Sequence, residues 1–449
     1  MKDIEKRVMK AIAERQDELV ALLKELVRYP SENEGIPGTG RETEIQNFLA
    51  AKMQEEKFDR VEKVAAEGSA SRPNVVGTMK GGDQEGALIL NAHSDVVPVK
   101  EEERKKWSSD PYEPVIKEGR VYGRGASDCK GGLASILFAA KILKLLNVSL
   151  ANDLYVLAAV GEESQEGETI GTAQVVDRGY RASLAIIAEP SNSEIHVESP
   201  GVFFFELKVK GKEAHTGARN QILFPQRFGL PSGPEVGVDA IDKSILFLRM
   251  FQRMEVENNH KWKSATLSGG GAPVAMDMQG LGYFTLTPTL MKAGEYLGAV
   301  AGHSSIVYVV WYPNWLKEEE VAQEIRRRVQ CLSETDDWLR TNPPEFVYPT
   351  LQHWKPFKTA MDHPGVKLLG NTLEEIQGSQ PVFSGSRFVC DGTFLQERGI
   401  PSILMGPGGL NMGIHGPNEF VPISELVKCA QAYALFAYRW CNGLYRGGM

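Results

Sequence analysis

Two histidines and five carboxylates along this chain stand where a fold could gather them into one site. His93 and Asp95 form an H-x-D, Asp128 follows a glycine-rich run, Glu162 and Glu163 are adjacent, Glu189 precedes Pro190, and His415 lies in Gly413-Ile414-His415-Gly416-Pro417-Asn418-Glu419. Imidazoles with carboxylates are the ligand set of Zn²⁺ or a similar divalent ion. The set is larger than one catalytic zinc uses beside its water, and a bridged pair of ions about 3.5–4 Å apart would occupy the surplus. Taken singly, each piece has a plainer reading. An H-x-D at a strand end serves as a hydrogen-bonded pair, and an exposed Glu-Glu is simply solvated. Position decides between the two.

The elements that must deliver these side chains are strands of a buried sheet. Residues 87–90 are an apolar run without alternation, as in a strand covered on both faces. His93 and Asp95 then fall at its C-terminal end, where open α/β sheets place ligands. With period 2 the two point to the same side, so one can hold a metal while the other fixes its tautomer. Glu162 and Glu163 follow YVLAAVG, and Glu189 follows LAIIA, two more buried strands ending at acids. In a turn, one glutamate could ligate while its neighbour acts on water as a general base. Asp128 closes GRGASD, a tight loop before an apolar helix over 133–146. No GK[ST] or GxGxxG follows it, which discards a phosphate loop.

The remaining chain supplies a frame for these ends. Helices are predicted over 1–27 as one amphipathic element, 41–57, 172–178, 364–376, 391–398 and 424–440. Strands are predicted at 60–64, 74–79, 87–92, 153–160, 184–188 and 401–405, with a hairpin turning at Glu118-Gly119. Strand, site, helix and strand in alternation predict a mixed, mostly parallel α/β sheet flanked by helices. The texture changes near residue 200. A long strand at 202–209, a helix over 238–257, strands at 282–287 and 304–310 and a helix over 317–332 read as an inserted α+β domain. The predicted division is a discontinuous catalytic domain of 1–200 and 351–449, with 201–350 as a lid and dimerisation domain.

Composition narrows the function classes. The 449 residues carry 50 Lys and Arg against 58 Asp and Glu, a net charge of −8, and no basic face that would suit nucleic acid is evident. The mixed run Glu101–Arg104 with the two lysines after it reads as a solvated loop. No apolar stretch approaches the roughly 18 residues that span a bilayer. Five cysteines without a CxxC point to a reducing compartment, with the cytoplasm as default. Cys129 and Cys390 read as small buried fillers. His196, His260, His303, His353 and His363 read as structural or surface residues. Phe203, Phe204, Phe205, Trp311 and Tyr312 read as the inserted domain's core.

In this order, HSD, GRGASDCKGG, GEES, AEPS, HTG and GIHGPNE resemble the motifs of the M20 family of dinuclear zinc amidohydrolases and peptidases. That family includes acetylornithine deacetylase, succinyl-diaminopimelate desuccinylase and aminoacylases, and the resemblance runs over nearly the whole chain. It implies two divalent metal ions, zinc first, with cobalt or manganese as substitutes. One ion would be held by His93 and Glu189, the other by Glu163 and His415, with Asp128 bridging. Asp95 would orient His93, and Glu162 would be the general base and later the proton donor. The Asp128–Cys129 peptide bond would be cis. The inserted domain would make a homodimer and carry His215, in its HTG turn, into the partner's site to stabilise an oxyanion. Read without the resemblance, His215 is a surface-turn histidine.

The chain departs from this pattern where relatives recognise a substrate carboxylate. The stretch Val307-Tyr308-Val309-Val310-Trp311-Tyr312-Pro313 lacks the arginine of a D-x-R, and Thr393 stands where an arginine often follows the Asp391 position. An arginine fork is the natural partner of a carboxylate. Arg387 and Arg219 are the candidate replacements for substrate binding. The leading expectation is a metal-dependent hydrolase of a C–N bond in a small molecule, like an N-acyl amino acid deacylase. The alternatives on the same site are a dipeptidase, a formylaminopyrimidine deformylase or an aromatic-amine aminohydrolase. An inactive ligand-binding or scaffold relative is the reading from a different class, and it has no need of Glu162.

Overall fold

The strand that ends at His93 runs over Asp83–His93, and its residues alternate between two cores. Leu88, Leu90 and Ala92 enter one apolar cluster, while Ala87 and Ile89 enter another. Asn152–Ala159 and Leu184–Ile187 divide in the same way, Leu154, Val156, Leu184 and Ile186 to one face and Tyr155, Leu157, Ala185 and Ile187 to the other. A strand with both faces covered has no polar side to show, which is why these segments read as unbroken apolar runs.

A computed structural model describes residues 2–164, 166–224, 226–227, 229–264, 281–348 and 353–445. The main sheet has eight strands in the order Arg60–Val64, Asn74–Met79, Asn152–Ala159, Asp83–His93, Leu184–Ile187, Ser402–Leu404, Ile195–His196, Phe383–Ser384. The four central strands are mutually parallel, and the first two are antiparallel to their neighbours. Helices Gln16–Val27, Lys130–Leu145 and Ile423–Cys441 pack their apolar sides into the larger cluster. The fold is the expected mixed α/β sheet flanked by helices.

The amphipathic N-terminus is corrected in one respect. It forms two helices, Asp3–Glu14 and Gln16–Val27, broken at Arg15. Residues 13–18 are all exposed, so no packing holds that turn in a single helix. The charge run is corrected too. Glu101–Arg104 is a short helix, and Glu103 accepts a bond from the buried Arg124 Nη2 at 2.5 Å.

The chain divides into two compact units, one of Met1–Ser199 with Phe357–Met449, the other lying between them in sequence. The predicted boundary at 350/351 lies outside the described residues. The second unit holds a four-stranded antiparallel sheet in the order Thr285–Ala293, His303–Tyr312, Gly201–Lys210, Glu345–Val347. Phe203, Phe205, Ile306, Tyr308, Val310 and Tyr312 are its buried face, packed with residues of the helices Ala240–Lys261 and Glu318–Glu334. Phe204 and Trp311 are only half-buried on the other side of the same strands. Among the described residues no helix is long and apolar enough to cross a membrane.

Candidate metal centre

Parallel pairing brings the ends of Asn152–Ala159, Asp83–His93 and Leu184–Ile187 to one edge of the sheet. His93, the Glu162-Glu163 turn and Glu189 therefore emerge side by side. Asp128 arrives from the loop before helix Lys130–Leu145, and His415 from the loop before Ile423–Cys441. The Asp128–Cys129 peptide bond is cis.

The Asp128 carboxylate lies between the two imidazoles. Its Oδ1 is 3.1 Å from His93 Nε2 and its Oδ2 is 3.2 Å from His415 Nε2. Each imidazole also faces its own glutamate. His93 Nε2 stands 3.5 Å from Glu189 Oε1, and His415 Nε2 stands 3.3 Å from Glu163 Oε1. Those two glutamate oxygens are buried and accept no hydrogen bond among the described residues. Leaving such an oxygen unmatched costs about 1–3 kcal/mol or more. A cation between each orphaned oxygen and the imidazole facing it removes that cost, so the residues fit a pair of divalent ions.

Electrostatics point the same way. Burial works against a charged His93, yet the Glu189 charge and the bonds to Asp128 and Asp95 outweigh it and hold its pKa well above the usual value. The Asp128 and Glu163 carboxylates that face His415 push it up to about 11. Burial raises Glu189 to about 8 and also raises Glu162 and Glu163. Imidazoles that hold protons so firmly, beside carboxylates that resist ionising, mark a pocket short of positive charge. Cys129 lies close to His93 and Glu189. Its thiol is pushed up by burial and donates to the Ala188 carbonyl at 3.1 Å, which leaves it a structural thiol.

Asp95 has more contacts than the one with His93 that the sequence suggested. His93 Nδ1 is 3.0 Å from the Asp95 carbonyl oxygen and 3.6 Å from its Oδ1, so either acceptor keeps the proton on Nδ1 and turns the Nε2 lone pair to the cluster. The Asp95 carboxylate also accepts the backbone N–H of Glu162 at 3.4 Å and of Glu163 at 3.0 Å. The same turn is held from behind. Arg72 binds both oxygens of Glu42 at 2.7 Å and Glu166 at 2.8 Å, while Glu42 Oε1 accepts the Gly161 N–H at 3.2 Å.

Glu419 is the residue the sequence reading passed over. Its buried carboxylate accepts N–H bonds from Gly125, Ser127 and Asp128 at 3.0, 2.9 and 3.0 Å, and from Arg124 Nη1 at 2.9 Å. One side chain thus ties the Asp128 loop to the His415 loop. Its place in GIHGPNE was visible, but nothing in the spacing says that the carboxylate folds back onto a distant loop.

The other candidate residues are dispersed. His215 lies in the second unit, exposed, with Nδ1 accepting the Gly217 N–H at 3.0 Å. Arg219, in the same unit, pairs with Asp239 at 2.9 Å and Asp242 at 2.6 Å. Those two carboxylates neutralise it, which weighs against a role in binding a substrate carboxylate. Arg387 is exposed and lines a cavity with Glu194 and His196. His196 does have an acidic neighbour, with Nε2 3.7 Å from Glu194 Oε2. The signal was an acid two residues before a histidine, but the strand Ile195–His196 is too short to show a period.

A parallel α/β sheet whose edge gathers two imidazoles around a carboxylate, each with its own glutamate, is the framework of a dinuclear metallohydrolase. The profile of peptidase family M20/M25/M40 matches residues 89–439, and the chain belongs to that family. It is a hydrolase of C–N bonds. The N-formyl-4-amino-5-aminomethyl-2-methylpyrimidine deformylase of Bacillus subtilis is 31% identical over 97% of this chain and 97% of its own length. The enzyme of the same name from Halalkalibacterium halodurans is 30% identical over 96% of both. Among solved structures, human carnosine dipeptidase 1 superposes with a TM-score of 0.73 at 16% identity, over 98% of this chain and 99% of that one, a likeness of fold.

Proposed function

We propose that this chain hydrolyses the amide of a small N-acylated amine, with the formamide of an aminopyrimidine as its first substrate class. The observation that carries the reaction type is the Asp128 carboxylate facing a different imidazole with each oxygen. The substrate class rests on the two deformylases that this chain resembles over almost its full length. It also suits the missing arginines at the D-x-R stretch and at Thr393, because a formamide on a heterocycle has no carboxylate to bind. That favours the deformylase alternative over the N-acyl amino acid reading.

His93 and Glu189 would hold one divalent ion, Glu163 and His415 the other, and Asp128 both; zinc is the first choice by donor chemistry. Two cations so placed acidify water and polarise an amide carbonyl. Glu162 takes the proton from the attacking water and returns it to the departing nitrogen as the C–N bond breaks, so a formamide gives formate and the free amine. His215 donates to the developing oxyanion. In this reading it comes from the partner of a homodimer, which is supported by the edge strand Thr285–Ala293 with Leu290 and Met291 exposed. The five cysteines, none disulfide-bonded, suit the cytoplasm.

The test is turnover across N-formyl, N-acetyl and N-succinyl compounds, dipeptides and aromatic amines, before and after chelation. The expected result is hydrolysis of the N-formyl aminopyrimidine above the rest, loss with chelator, and recovery with Zn²⁺, Co²⁺ or Mn²⁺. Turnover that survives complete metal removal would sink the reading.

A further inference from the structure

A cavity of about 370 Å³ lies entirely within the first unit, and no step of the mechanism uses it. Its lining includes Asn192, Glu194, His196, Arg387, Phe388 and Leu410. Two of its walls run on from site segments: Pro190, also in the lining, follows Glu189 directly, and Leu410 leads to His415. The size lies at the lower end of small-molecule pockets, which begin near about 300 Å³, and suits one small ring better than a peptide.

The walls are fixed before any ligand arrives. Ser193 N–H donates to the Gly406 carbonyl at 2.9 Å and Asn192 N–H to the Gly408 carbonyl at 2.5 Å. Glu194 Oε2 accepts the Ser384 hydroxyl at 3.2 Å. His196 is only 8% exposed, and its Nδ1 is buried with no hydrogen-bond partner among the described residues. His196 thus has Nε2 at 3.7 Å from Glu194 Oε2 and its other ring nitrogen, Nδ1, buried and unfilled. Phe388, Leu410 and Pro190 supply apolar surface for the flat faces of a ring.

From these contacts we infer that the cavity is the subsite for the amine half of the substrate, and that it takes a planar aminated nitrogen heterocycle. The exocyclic amine donates to Glu194, and the ring nitrogen beside it pairs with His196. This rests on the proposed deformylase reading and adds where the leaving group sits and what selects it. A leaving group bearing a carboxylate meets the Glu194 charge instead, so α-amino acid amides are disfavoured even though Arg387 lies in the same lining.

The experiment is calorimetric titration of 4-amino-5-aminomethyl-2-methylpyrimidine into the full chain without added metal, for the native protein, Glu194→Gln and Leu410→Trp. The last changes an exposed residue and fills the cavity without touching the core. The expected result is binding to the native chain, weakened about tenfold or more by Glu194→Gln, the scale of losing a hydrogen bond to a charged group, and weakened also by Leu410→Trp. N-formylglycine should not compete. No binding to the native chain, or equal binding by all three proteins, overturns the subsite. Turnover of the N-formyl derivative by the metal-loaded native enzyme is read separately. Turnover with variant-insensitive binding removes the subsite and keeps the deformylase; variant-sensitive binding without turnover keeps the subsite and removes the deformylase.

Discussion

Glu162 is the side chain on which the proposed chemistry turns. Asp95 accepts its backbone N–H, and burial with the charges of Glu189, Glu163 and Asp391 raises its carboxyl pKa. Glu162→Gln keeps the shape and removes the proton acceptor. Turnover of the best substrate is expected to fall by about 10²–10⁴, the usual worth of a positioned general base, with metal content by elemental analysis unchanged. Full turnover with metal still bound would take the role from Glu162. At this scale much was legible, because each of His93, Glu162, Glu163 and Glu189 sits where an apolar run stops. Glu419 was not legible as a clamp. A carboxylate that accepts three backbone N–H groups leaves no trace in residue spacing, and neither does the pairing of Arg72 with Glu42 and Glu166.

Loops ahead of helices carry Asp128 and His415, and the Glu419–Arg124 pair is what relates one loop to the other. Both side chains are buried, with Arg124 bound to Glu103 on its other side. Glu419→Ala leaves a buried guanidinium short of one of its two carboxylate partners and three N–H groups without their acceptor. The expected cost is about 3–5 kcal/mol by chemical denaturation, as for other broken buried pairs. A loss under 1 kcal/mol, the scale of a surface ion pair, would mean that the clamp holds little. The sequence conveyed the central strands and long helices because burial on two faces and helical spacing both leave strong patterns. It missed what packing alone decides. The two-residue strands Ile195–His196 and Phe383–Ser384 are too short for a period, and the edge strand Thr285–Ala293 has Pro288 and a register shift after it.

For the molecule as a whole, the proposed dimer predicts complementation between subunits. Where His215 acts across a dimer, Glu162→Gln and His215→Ala subunits are each defective but complement one another. Reassorting them in equal amounts makes half the dimers mixed, each with one competent site, so about a quarter of native activity is expected for a two-fold assembly. Activity that stays at the level of the separate variants, with mixed dimers confirmed by native mass spectrometry, would return His215 to its own subunit or to no role. Light scattering that finds only single chains would remove the dimer itself. The start of the second unit was legible as a change of texture near residue 200, where buried parallel strands give way to a half-alternating one.

The bond from Asp128 N–H to Glu419 joins residues 291 positions apart. A ribosome makes His93, Asp128, Glu163 and Glu189 long before it makes His415 and the carboxylate that steadies the Asp128 loop. While the chain is still emerging, it can offer an incoming ion only a partial, unbraced nest of ligands. With the proposed ligands, capture of both ions would follow translation past Glu419, and a nascent polypeptide stalled short of that point should hold its ions loosely and surrender them to competitors.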